Sequence, residues 1–269
     1  MSTNPDKNVV NSLAKGFRVL EAFTSEEPEL VLAEVARRAG LDNATTFRLL
    51  NTLVMLGYAE KVGETRKFRL TLKCLDLGFN AIARSDLRTQ ARPILRGLVG
   101  EMNEAASIGV LEGVEVVYIE RMQAGMTRLG VDVRIGSRVP VHSTAIGHAI
   151  LGFLPFDEQE RILAAAPRKK MTERTVTDVK TLLRRLKQVR ERGYAIADQE
   201  NVTGLCVLAA PILDPDDFPV ASLSVAAPAF RMSAQAFEKA GVVPLLNAAR
   251  QLSRGLNATG GFALHSNHH

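Results

Sequence analysis

The chain has no tryptophan, only 2 cysteines in 269 residues, and aromatic side chains make up just 5% of it. Cys74 and Cys206 lie far apart without a C-x-x-C pattern, so they neither frame a small disulfide domain nor complete a zinc site unaided. Long apolar runs are also missing. Val202–Leu213 and Pro219–Phe230 are broken by proline and small polar residues, short of the roughly 18–20 residues that span a bilayer. The polar start, Met1–Asn8, has no apolar centre of an export signal. The expectation is a cytoplasmic protein with no membrane attachment, metal or cofactor. What is present suits a folded chain: 46% hydrophobic and 23% charged residues, with 20 Gly and 11 Pro, exclude disordered, collagenous and linker classes.

The net charge of +5 is unevenly placed. Between Arg37 and Lys73 stand eight bases (Arg37, Arg38, Arg48, Lys61, Arg66, Lys67, Arg69, Lys73) against three acids (Asp42, Glu60, Glu64), so this segment holds the whole excess. A local positive surface suits phosphate; a solvated basic face is the plainer reading of charge alone.

The pattern within that segment is more specific. Ser12–Thr24 reads as a helix with Ser12 as N-cap and Leu13, Phe17, Leu20 and Phe23 at helical spacing. After Pro28, Leu32–Ala39 is a second helix, and Gly40 suits its left-handed end. Asp42 or Asn43 caps a third helix running to about Leu56 and ended by Gly57. On it Phe47, Leu50 and Val54 form the apolar stripe, joined by Leu49, Leu53 and Leu56; Thr45, Arg48, Asn51 and Thr52 lie opposite. Tyr58–Val62 and Lys67–Leu70 read as a hairpin around Gly63-Glu64-Thr65-Arg66. Three helices and a hairpin in about 60 residues are the layout of a winged helix-turn-helix. Its second helix would present Asn43, Thr45, Thr46, Arg48 and Asn51 to base edges, with Arg66 and Lys67 at the hairpin tip reaching phosphate or the minor groove. A three-helix protein-interaction module is the competing reading.

Helical pattern resumes from Thr71 to about Glu104, interrupted near Arg84-Ser85-Asp86 and by Pro93. Strand-like pieces follow at Ala106–Leu111, Val114–Glu120, Arg128–Val133, Tyr194–Ala197, Cys206–Ile212 and Val220–Ala226. Helical pieces lie between and after them, at Ala145–Leu154, Glu158–Ala166, Val179–Arg192 and Ser233–Leu256. Strands at both ends of a helical middle predict α+β with a mainly antiparallel sheet. Gly260–His269 carries no structural pattern.

At these residues the sequence resembles the IclR family of bacterial transcription regulators, over roughly Val10–Leu256. The resemblance rests on Ser12-Leu13-Ala14-Lys15-Gly16-Phe17-Arg18-Val19-Leu20 and on Leu32-Ala33-Glu34-Val35-Ala36-Arg37-Arg38-Ala39-Gly40-Leu41 followed by Thr45-Thr46-Phe47-Arg48-Leu49-Leu50. It continues in Gly136-Ser137-Arg138-Val139-Pro140-Val141-His142-Ser143-Thr144-Ala145-Ile146-Gly147, Arg192-Gly193-Tyr194-Ala195 and Gly204-Leu205-Cys206-Val207-Leu208-Ala209-Ala210-Pro211. Arg128–Val133 leading to Arg138-Val139-Pro140 is similar to family members that regulate protocatechuate, 4-hydroxybenzoate and β-ketoadipate catabolism. Two departures are visible: Ala44 stands where many relatives have serine, removing one phosphate contact from the DNA-facing set, and His148 stands where many have lysine.

The resemblance implies two domains: a winged helix-turn-helix at 10–71, a linker helix at 72–86, a GAF-like effector-binding and oligomerisation domain with an antiparallel sheet flanked by helices at 87–257, and a disordered tail at 258–269. It implies double-stranded DNA with a palindromic operator as partner, a homodimer or tetramer, and a small-molecule effector. That effector would sit at the start of the Ala145–Leu154 helix, facing Asp198, Leu205, Val207, Ser222, Ser224 and Ala226. The residues themselves favour a small carboxylate. Ser143 or Thr144 can cap that helix, leaving the Ala145 and Ile146 N–H groups for an anion. Ser222 and Ser224 alternate with Leu223 and Val225, so both hydroxyls share a face, and Arg128 or Arg134 can clamp the carboxylate. The other class weighed is an enzyme acting on a small organic acid, with an N-terminal oligomerisation module. His142 beside Ser143 invites it, but there is no G-x-S-x-G turn and no orienting acid, so we assign no catalytic residue.

Overall fold

The computed structural model describes residues 9–83, 86–123 and 133–259. The chain divides into two compact units between Ala81 and Ile82.

The N-terminal unit contains α1 (Asn11–Glu21), β1 (Glu29–Val31), α2 (Leu32–Ala39), α3 (Asn43–Met55), β2 (Ala59–Lys61), β3 (Lys67–Leu70) and α4 (Lys73–Ala83). Helix α1 starts after Val10 rather than at a Ser12 cap; Ser12 lies inside it. Gly40 ends α2 at φ 62°, in the left-handed region where a side chain would be strained. Asp42 then caps α3, its carboxylate accepting from the Thr45 N–H at 2.8 Å. These two residues make the corner between the helices. The hairpin forms in the expected place, and β1 adds to it, giving a three-stranded antiparallel sheet in the order β1-β3-β2 among the described residues. Its core is Val19, Ala22, Leu30, Val35, Ala39, Leu50, Leu53, Ala59 and Phe68.

The C-terminal unit holds α5 (Asp86–Met102), β4 (Ala105–Glu112), β5 (Glu115–Met122), β6 (Arg138–Pro140), α6 (Ala145–Leu151), α7 (Phe156–Ala165), α8 (Val179–Arg192), β7 (Ala195–Asp198), β8 (Leu205–Leu213), β9 (Pro219–Pro228) and α9 (Ala234–Thr259). Its described strands form one antiparallel sheet in the order β6-β5-β4-β9-β8-β7. Helices α5 and α9 pack on one face; α6 packs on the other, with α8 beside it and α7 against α8. The architecture is therefore α+β, as expected. Two expectations change. Helix α5 runs through Pro93, because Leu87, Ala91, Leu95 and Leu98 keep a continuous buried stripe that offsets the lost hydrogen bond. Strand β6, within the Arg138-Val139-Pro140 motif, pairs with β5. The expected Arg128–Val133 strand and the tail from Gly260 fall mainly outside the described residues. No described helix is long and apolar enough to cross a membrane.

Candidate DNA-reading and effector-binding sites

The N-terminal face is built by α3. Spacing of four and three buries Thr46, Leu50 and Leu53, and Thr46 can be buried because its hydroxyl donates to the Asp42 carbonyl at 2.8 Å. Thr46 therefore faces the core and is withdrawn from the base-reading set. Phe47, expected in the core stripe, is 47% exposed instead. Around it stand exposed Asn43, Ala44 and Arg48 and half-buried Thr45 and Asn51. The helix is thus turned by about one residue from the face its hydrophobicity suggested, because a threonine with a satisfied hydroxyl buries as readily as an apolar side chain.

Charge sorts into structural and available groups. Arg38 bonds Glu27 and the Ala22 carbonyl, Arg69 spans Glu60 and Glu29 across the small sheet, and Lys73 donates to the Leu56 carbonyl while lying over the Tyr58 ring at 4.9 Å. Exposed Arg37, Arg48, Arg66 and Lys67 form no ion pair among the described residues, and Arg66 and Lys67 sit at the hairpin. A face with polar side chains on one helix and two cations on a nearby hairpin can engage a groove and its phosphates.

The second face is the side of the large sheet that carries α6. Opposite residues of antiparallel strands share a face, so the register aligns side chains in rows. Arg121, Ser107, Ser224, Ala209 and Ala195 form one row across β5-β4-β9-β8-β7. On one side of it lie Tyr118, Gly109, Ser222 and Pro211; on the other, Ala105, Ala226, Val207 and Ala197. Ser222, Ser224, Val207 and Ala226 are thus neighbours, with Leu205 two residues along β8 from Val207. Leu223 and Val225 point the other way, into the α5/α9 core. Ser222 Oγ donates to the Ala210 carbonyl at 3.0 Å and Ser224 Oγ to the Ser107 carbonyl at 3.4 Å, which leaves lone pairs on both. Arg121 Nη1 donates to Ser107 Oγ at 3.0 Å. The next residue back, Glu120, faces the other way and accepts from Arg88 Nε at 2.8 Å and Arg92 Nε at 3.1 Å on α5. Burial pushes the Tyr118 phenol up, and nearby Arg121 opposes it.

Helix α6 closes this face. All seven of its residues are buried. Thr144 is the cap: its Oγ1 accepts from the Gly147 N–H at 3.3 Å and donates to the Pro140 carbonyl at 2.7 Å. Ala145 and Ile146 begin the helix, fully buried, and Ile146 lies where β4 has a glycine: a Cβ on Gly109 would stand 2.8 Å from Ile146 Cδ1. Ser143 donates to Asn201 Oδ1 at 3.0 Å rather than to His142, and His142 Nε2 bonds the Lys169 carbonyl at 2.9 Å. His148 is fully buried, and its Nε2 donates to the His142 carbonyl at 2.8 Å.

Two expected members fall elsewhere. Asp198 pairs in register with Cys206, on the α9 side of the sheet, where it accepts from the Cys206 thiol at 3.1 Å and pairs with Arg174. Burial pushes the Cys206 thiol up to about 12, helped by Asp198, so it is an inert core group. Arg134 is exposed in the turn before β6, its N–H on Ser137 Oγ at 3.0 Å. Arg128 lies outside the described residues. Among the described residues, Arg121 is a cation on this sheet face that the sequence pattern does not single out. A β-bulge between Ile108 and Gly109 shifts the register there, so simple alternation along β5 does not reveal its facing.

Comparison with known proteins matches both units of the chain. Residues 12–63 match the IclR helix-turn-helix domain, and residues 79–254 match the C-terminal domain of bacterial IclR transcriptional regulators. The chain is 36% identical to the HTH-type transcriptional regulator KdgR of Escherichia coli K12, covering 94% of each protein. It is 32% identical to the Pca regulon regulatory protein of Pseudomonas putida, over 93% of this chain and 86% of that one. Among solved structures, an IclR homolog from Microbacterium hydrocarbonoxydans complexed with 4-hydroxybenzoate superposes with a TM-score of 0.79 at 27% identity, over 92% of this chain and 99% of that one. Matched in both halves, the chain belongs to the IclR family, as a DNA-binding transcription regulator with an effector-binding C-terminal domain.

Proposed function

We propose that this regulator senses a small carboxylate, specifically an aromatic acid, on the α6 side of its large sheet, and answers by changing its occupancy of a palindromic operator as a homodimer or tetramer. The observation that carries the effector reading is the row Arg121–Ser107–Ser224, with Ser222 beside it. It supplies one cation for a carboxylate and hydroxyls for orientation, while Leu205, Val207 and Ala226 give an apolar wall. The small side chains of Ala105, Ser107 and Ala226 lie on the same face. Ala145 and Ile146 bound the site at the head of α6. The solved relative holding 4-hydroxybenzoate and the Pca regulon relative support the aromatic assignment. The response is linkage: the acid shifts operator occupancy only as far as its affinity differs between two arrangements of the protein.

The test is a thermal-shift and gel-shift pair on the full-length protein. 4-Hydroxybenzoate or protocatechuate is expected to raise the melting temperature by mass action and to alter binding to a palindromic promoter fragment at two salt concentrations. A response to open-chain hydroxy acids alone would keep the carboxylate and overturn the ring.

On the reading helix, Arg48→Ala is expected to cost about 1–3 kcal/mol and relax preference at one base pair across a set of single-base operator variants. An equal loss on every variant would make Arg48 a phosphate contact. Thr46→Val, at the buried position, is expected to leave base preference unchanged.

A further inference from the structure

We propose that Phe47 is a base-reading residue whose ring contacts the 5-methyl group of a thymine in the major groove, setting a preference for thymine at that position. The inference rests on the reading of α3 as the groove-bound helix. Phe47 is 47% exposed and absent from the core that holds Leu50, Leu53 and Phe68. The fold of the N-terminal unit therefore does not account for a large apolar side chain there. Its surroundings identify what covers it. Ala44 lies one turn before it, Asn51 one turn after, and Arg48 adjoins it, all exposed or half-buried, and Arg48 forms no ion pair among the described residues. An apolar protein surface pressed onto this patch would desolvate Arg48 and the Asn51 amide without partners, at a cost in free energy. DNA offers those groups base acceptors and phosphate instead.

A phenyl ring has no hydrogen-bonding atoms, so it cannot read the donor and acceptor pattern of the groove. The apolar feature that base edges present there is the thymine methyl. Ala44, on the same face, presents a single methyl and so a smaller apolar surface than the ring. Exposed in the free protein and covered on DNA, Phe47 contributes to binding only where that methyl is present.

The probe is a duplex recovered from a random library by selection with the full-length protein, remade with each half-site thymine replaced singly by deoxyuridine. Wild type is expected to bind about fourfold more weakly at one such position per half-site, the effect of losing one buried methyl-sized group. Phe47→Ala, which melts like wild type because the ring is outside the core, should bind the thymine and uracil duplexes equally. Phe47→Leu, still apolar, should keep part of the preference. A thymine penalty unchanged in Phe47→Ala, or no penalty at any position in wild type, overturns the assignment while leaving selective binding intact. Wild-type protein that binds the selected duplex no better than random DNA overturns the groove reading itself.

Discussion

Lowering the pH from 6.5 to 4 is expected to destabilise the C-terminal unit by about 3 kcal/mol through one imidazole. His148 is fully buried on α6, and burial pushes its pKa down to about 4; the bond to the His142 carbonyl opposes this, while Arg185, His142 and Arg192 reinforce it. In the unfolded chain the same ring takes a proton near the ordinary value of 6.5. Between 6.5 and 4 the unfolded state therefore binds a proton that the folded state refuses. The stabilisation is complete above 6.5 and is lost as the pH falls, at about 1.4 kcal/mol per unit. His142 is shifted down as well, mainly by burial, so it acts in the same direction. Denaturant unfolding of wild type and His148→Gln at pH 7 and 4.5 checks this: the variant should lose clearly less stability between the two. Parallel losses would place the acid sensitivity elsewhere.

Replacing Arg121 with leucine is expected to weaken binding of 4-hydroxybenzoate by at least about thirtyfold and leave operator affinity without effector unchanged. Removing one member of a buried, hydrogen-bonded charge pair costs about 2–5 kcal/mol. Arg121 would form such a pair with a carboxylate in the row it shares with Ser107 and Ser224. Arg121→Lys keeps a cation without the planar fork and should recover part of the affinity. Calorimetric titration of the three proteins separates the cases; an unaltered affinity in Arg121→Leu would remove this side chain from the site.

Much of the fold was legible where one local rule governed. Helix α2 ends at Gly40 because the chain needs a left-handed residue there, and α8 occupies Val179–Arg192 because Leu182, Leu186 and Val189 repeat on its buried side before Gly193. The alternation of Ser222 and Ser224 with Leu223 and Val225 correctly divided a strand into two faces. Reading failed where a second effect overrode the first. Thr46 and Phe47 exchanged places because a hydrogen bond, invisible to hydrophobicity, made the threonine apolar in effect. Strand β1 is three residues long and exists through its pairing with β3, a contact that no local pattern encodes. Pro93 was expected to interrupt the helix that its buried neighbours sustain. Asp198 falls on the opposite face from Ser222 and Ser224 because its facing follows from register with Cys206, and the facing of Arg121 is hidden by a bulge.

The arrangement of α3 also limits how this protein can change its genomic target. Thr46, Leu50 and Leu53 are committed to the interior, so descendants can vary Asn43, Ala44, Phe47, Arg48 and Asn51 without disturbing the packing beneath. With α3 as the proposed reading helix, address and architecture fall on separate sides of one short helix, and a regulator built this way would be redirected to a new promoter by a few exposed replacements.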